Sequence, residues 1–73
     1  MPCIVTDGTF KIYVYANDHN PPHCHVYWER FKVAVVYLNP VSIGPGDRLP
    51  RRGREFVVEH LEDLTSAWNR LNP

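Results

Sequence analysis

The chain has 73 residues, a formal net charge of zero with histidine neutral, and 44 % hydrophobic residues. One domain spanning 1–73 is expected, burying only about 60 % of its unfolded surface. A neutral chain has no overall field to draw it to nucleic acid, no apolar run is long enough for a membrane span or a signal peptide, and two cysteines cannot make a disulfide framework. These features favour the cytoplasm, with Cys3 and Cys24 as free thiols.

In chain order, strands come first. Asp7-Gly8 is a tight-turn dipeptide that joins a short opening strand around Cys3 to Val5 to the next run in a hairpin. From Thr9 to Tyr15, Phe10, Ile12 and Val14 alternate with Lys11, Tyr13 and Tyr15, the pattern of a half-buried strand. Next comes Tyr15-Ala16-Asn17-Asp18-His19-Asn20-Pro21-Pro22-His23-Cys24-His25-Val26, with three of the four histidines. Two prolines forbid a helix there and push Asn20 toward extended backbone. The expectation is a stiff loop between strands, with Asn20-Pro21 a candidate cis bond.

His25 to Glu29 reads as the next strand and Phe31 to Leu38 as another, the latter apolar on both faces. Such a strand is central or meets a partner, so a stable monomer is not expected. Asn39-Pro40 ends it, and Val41 to Ile43 has the residues of a brief edge strand. A helix starts near Pro50, with Val57, Leu61, Leu64, Trp68 and Leu71 on one apolar stripe. Gly53 is an oddity in it, since glycine costs about 1 kcal/mol against alanine inside a helix. The sum is an α+β domain: a three- to four-stranded antiparallel sheet, β-β-β-(β)-α, packed against one C-terminal helix.

Histidines titrate near neutral pH, so three in one loop suggest chemistry. His23 and His25 lie two apart at a strand entry and point to the same side, while Cys24 points to the other. His19 lies across the Pro-Pro turn and could fold back toward them. Converging imidazoles could serve as acid, base and phosphate ligand in metal-independent RNA cleavage, with Asp18 fixing a histidine tautomer. His19, His23, His25 and Asp18 are therefore the candidate catalytic residues. The competing reading is structural: Asn17 and Asp18 cap the loop backbone as Asx turns, and the histidines bond to main chain. No metal or cofactor is expected, because the spacing of the three histidines matches no standard zinc pattern. His60 is expected at the rim of the core.

Arg48, Arg51, Arg52 and Arg54 fall within seven residues, ahead of Glu55, Glu59, Glu62 and Asp63. Positive charge at a helix N-terminus opposes the macrodipole, while the free N–H groups there attract anions. These four arginines are the candidate phosphate or RNA contacts, close enough to the histidines to share an anionic ligand. The alternative is local neutralisation by Glu55 and Asp47. Tyr13, Tyr15, Tyr27, Trp28 and Tyr37 all lie on strands that one helix can cover on one face only. Rings left on the other face suit a protein interface or base stacking, and the small, neutral domain favours the interface.

The run Asn17-Asp18-His19-Asn20-Pro21-Pro22-His23-Cys24-His25-Val26 resembles the hallmark of the small bacterial proteins of the DUF4160 family. The opening Met1-Pro2, the alternating strand before the loop, and Leu49-Pro50-Arg51-Arg52 leading into a helix with Trp68 agree. The resemblance implies no established activity. It implies a component of a two-protein toxin–antitoxin-like module. The expected partner is a small protein encoded nearby or a second copy of the chain, with RNA as a further target and no membrane. The alternatives are a small metal-independent ribonuclease using the loop histidines, and a non-catalytic interaction module.

Overall fold

The computed structural model describes residues 3–73. Met1, Pro2 and the side chain of Cys3, on which one expected free thiol falls, lie outside the described residues. Five strands, β1 (Cys3–Thr6), β2 (Phe10–Val14), β3 (His23–Trp28), β4 (Lys32–Leu38) and β5 (Val41–Ile43), form one antiparallel sheet in sequence order. Two helices follow, α1 (Arg51–Glu59) and α2 (Leu61–Leu71). The α+β class holds, but the sheet has five strands rather than three or four, and the single helix is two.

Each turn has a local cause. Asp7 accepts hydrogen bonds from the N–H groups of Phe10 and Thr9, both at 2.8 Å, and Gly8 supplies the positive φ of 93° between β1 and β2. Both prolines expected to end or stiffen segments, Pro21 and Pro40, follow cis peptide bonds. β3 begins at His23, two residues before the expected start, because His23 pairs with Tyr37 across β4.

One face of the sheet carries the core. Phe10, Ile12, Val14, Cys24, Val26, Ala34, Val36 and Leu38 pack there against Phe56, Val57, Leu64, Ala67 and Trp68. The opposite face is not covered by a helix. It presents Ile4, Lys11, Tyr13, His25, Tyr27, Val33, Val35 and Tyr37, as the register and alternation require. Trp28 belongs to the covered side, packed on the core.

The helix breaks at His60, whose φ and ψ are −104° and 16° and whose N–H reaches both Phe56 and Val57 carbonyls. A straight helix from Arg51 to Leu71 would be about 31 Å long, and the whole molecule measures 30 × 24 × 21 Å. The break lets both halves of the apolar stripe lie on the sheet. Gly53 is also explained. An added Cβ would sit 2.7 Å from Leu49 Cδ1 and 2.7 Å from Phe10 Cε1, so glycine lets α1 approach the sheet closely. Among the described residues, no helix is long and apolar enough to cross a membrane.

Candidate functional site

The histidine loop is held by its neighbours. Asn17 adopts φ 57°, a left-handed conformation asparagine tolerates. The Asp18 N–H donates to Asn72 Oδ1 at 2.8 Å, Asn72 Nδ2 donates to the Tyr15 carbonyl at 3.0 Å, and the Leu38 N–H donates to the Pro22 carbonyl at 3.0 Å. Asn72 follows α2 directly and its own N–H bonds the Trp68 carbonyl at 2.8 Å. The end of the helix therefore clamps the loop. In the sequence Asn72 reads only as a helix stop; nothing local signals a partner 54 positions away.

All four candidate catalytic side chains meet around Asp18, and His23 and His25 share one of its oxygens. His23 Nε2 lies 2.9 Å from Asp18 Oδ2, and His25 Nε2 lies 3.6 Å from the same oxygen. His23 Nδ1–H donates to the Pro21 carbonyl at 2.8 Å. Asp18 Oδ1 faces the other way, accepting from the His19 N–H at 2.9 Å, with His19 Nδ1 at 3.2 Å. Asp18 thus does both things the sequence offered as alternatives: one oxygen holds loop backbone, the other a histidine ring. His19 itself stays at the rim, its side chain 86 % exposed.

His23 is the buried member, 4 % exposed. At the end of the sheet its ring packs against Trp68 at 5.1 Å between centroids, His25 at 5.2 Å and Tyr37 at 6.2 Å. His25 in turn meets Tyr15 edge to face at 5.0 Å, which links the cluster to the tyrosines of the open face. The cluster lines a cavity of about 250 Å³ shared with Tyr37, Pro45 and Asp47. Asp47 is otherwise engaged, accepting from the Val35 N–H at 3.0 Å through Oδ2.

The electrostatics follow from these contacts. Burial pushes the Asp18 carboxyl up. The His19 N–H, the His23 charge, the nearby His25 ring and the His19 charge outweigh it and hold the group below its ordinary value of 3.8. Burial pushes the Cys24 thiol up to about 12, so it is no nucleophile. The hydrogen bond to Tyr27 at 3.4 Å, helped by burial and neighbouring phenols, raises Tyr15 to about 12.

The arginines are elsewhere, and the expected shared ligand has no common site. β3 is six residues, roughly 17 Å, with His23 at one end and Trp28, paired with Phe10, at the other. α1 starts over that far end, where Gly53 abuts Phe10. Arg51 and Arg54 line a hollow with Glu55, Val58 and Glu59, and Arg48 lines one with Trp28 and Lys32. Arg52 lies near the first turn: Asp7, lowered mainly by the Phe10 and Thr9 N–H groups, also feels its charge. Arg51 meets Glu55 only at 3.9 Å. His60 sits at the helix break, half-buried against Phe56.

Fold and site together define a small α+β domain with helices on one sheet face and a histidine–aspartate pocket at the strand ends. A family model described as a domain of unknown function, DUF4160, matches residues 9–69, and the chain belongs to that family. No curated protein and no solved structure matches it.

Proposed function

We propose that this protein acts in a complex, as one member of a two-protein toxin–antitoxin-like module, and docks its partner on the open face of the sheet. The observation that carries the docking is the composition of that face; the module is what the resemblance of the histidine loop implies. Ile4, Tyr27 and Val33 are exposed there, beside the mutually packed rings of Tyr13, Tyr15 and Tyr27. A shallow hollow of about 730 Å³ runs among those tyrosines, with Lys11, Glu29 and Arg30 at its edge. Rigid aromatics ringed by mixed charge are what protein interfaces favour at their centre and rim.

The metal-independent ribonuclease is less well supported by the geometry. Acid–base catalysis needs imidazole nitrogens free to exchange protons with substrate. Both His23 nitrogens face protein oxygens, and the ring can donate to both only as imidazolium. His19 is the accessible imidazole, at the rim with its Nδ1 3.2 Å from Asp18 Oδ1. Arg51 and Arg54 line a hollow away from that pocket, and Arg48 lines one with Trp28 and Lys32.

The test is co-purification with the protein encoded beside it, using the wild type and a Tyr13→Ala/Tyr27→Ala pair. The reading requires a stable complex with the wild type and at least a tenfold weaker one with the pair. Equal binding by both removes the open face as the dock. RNA cleavage by the purified chain, abolished in His25→Ala and undiminished by a chelator, would favour the ribonuclease instead.

A further inference from the structure

We propose that Asp18 Oδ2, His23 Nε2 and His25 Nε2 are the protein ligands of a divalent first-row transition cation, with zinc as the reference ion. The inference does not depend on the docking face. Histidine spacing in the sequence points away from a metal because it considers His19, His23 and His25. The fold replaces His19 by Asp18, and the three ligand atoms then lie within 4.8 Å of one another.

Four observations carry the assignment. First, the donor set is two imidazoles and one carboxylate, which suits zinc and its neighbours in the row and leaves coordination positions open. Second, the separations from Asp18 fit. Ligand atoms about 2.0–2.1 Å from a tetrahedral ion stand roughly 3.3 Å apart, and the two separations to Asp18 Oδ2 are 2.9 and 3.6 Å. Third, the outer contacts are those of a metal-bound histidine. The His23 Nδ1–H is given to the Pro21 carbonyl, so once an ion displaces the proton that Nε2 presents to Asp18 Oδ2 at 2.9 Å, the Nε2 lone pair faces the cluster. Asp18 is likewise fixed from behind by the His19 N–H on its other oxygen. Fourth, His25 Nε2 is a buried polar atom without a hydrogen-bond partner among the described residues. A buried nitrogen left so is destabilising, and a cation shared with Asp18 and His23 would satisfy it.

The cluster also borders a cavity, so the ion would have protein on one side and the pocket of Tyr37, Pro45 and Asp47 on the other. That is the form of a site with exchangeable positions rather than a closed structural one. The rival arrangement is an imidazolium–carboxylate pair between His23 and Asp18, which needs no ion.

The test uses the full chain, stripped with a chelator and checked for folding by circular dichroism. Zn²⁺ is titrated against a chromophoric competitor, and Co²⁺ binding is followed by visible absorption. The expected result is one equivalent bound, with cobalt bands of a four- or five-coordinate nitrogen–oxygen site. His25→Ala should bind at least about 100-fold more weakly, the upper end of what even an outer-shell loss costs. His19→Ala should stay within about threefold of wild type. If His25→Ala does not fold, Asp18→Asn carries the same comparison. No binding at micromolar Zn²⁺ would overturn the assignment in favour of the ion pair. Wild-type affinity in a folded His25→Ala or Asp18→Asn would overturn it too, as would a His19→Ala loss as large as theirs.

Discussion

The two ends of the strands carry similar numbers of ionisable groups and treat them differently. At the loop end, Asp18, His23 and Asn72 bond one another or the backbone, His25 stands 3.6 Å from Asp18, and His23 is buried against Trp68. At the other end, Arg51, Arg52 and Arg54 sit on an exposed helix start whose first turn has no acidic residue. Arg51 is 90 % exposed and meets Glu55 at 3.9 Å. Clustering of charge in the sequence therefore says little about a site. What makes the loop end a site is enforced proximity: short bonds from distant parts of the chain fix the groups where water screens them less than on the open helix start.

That contrast can be broken, and the largest blow should come at Trp68. It is buried and walls the His23 ring, so Trp68→Ala should cost about 3–5 kcal/mol in urea unfolding. A loss below about 1 kcal/mol would mean that the loop end is not built on the core. Asn72→Ala should follow, at about 1–3 kcal/mol, because it strands the part-buried Asp18 N–H and the Tyr15 carbonyl. Amide exchange in loop 15–22 should rise with it while β1 exchange does not.

Gly53→Ala tests the other end, where backbone approach rather than charge is at stake. Overpacking against Phe10 and Leu49 costs about 1–3 kcal/mol, and helix propensity returns about 1 kcal/mol. A net loss near 1 kcal/mol is expected, and a gain would show that α1 can shift outward freely. Asp18→Asn gives a difference that depends on pH. The folded carboxyl is held below 3.8, so its stabilising contribution is full above that value and is lost as pH falls through the folded value. The stability gap between wild type and Asp18→Asn should therefore narrow below about pH 4. A gap unchanged down to pH 2 would remove the ionised carboxylate from the account. Arg51→Ala should be the smallest, within about 0.5 kcal/mol by thermal melting. A larger loss would make the basic end structural after all.

Much of the fold was legible before any coordinates. Alternation in Phe10 to Val14, the Asp7-Gly8 turn, the Pro-Pro loop and the start of α1 after Pro50 were each set by local chemistry and stand in the structure. Strand count and helix count were not. A three-residue edge strand such as Val41–Ile43 has too little pattern to weigh alone, and a break at His60 needs no proline or glycine. It arises because the stripe must bend to stay on the sheet.

The candidate site divides in the same way. His23 and His25 on one side of a strand, and Cys24 on the other, follow from the two-residue period of β structure. The sequence by itself determined the class of fold, the proline loop between two strands and which side of a strand each histidine takes, because these depend on neighbours a few positions apart. Only the tertiary structure decided that Asp18 rather than His19 completes the cluster, that Asn72 clamps it, and that the arginines stand at the far end of the strands. Those choices depend on contacts between residues up to 57 positions apart, which hydrogen bonding and core packing select and no local pattern encodes.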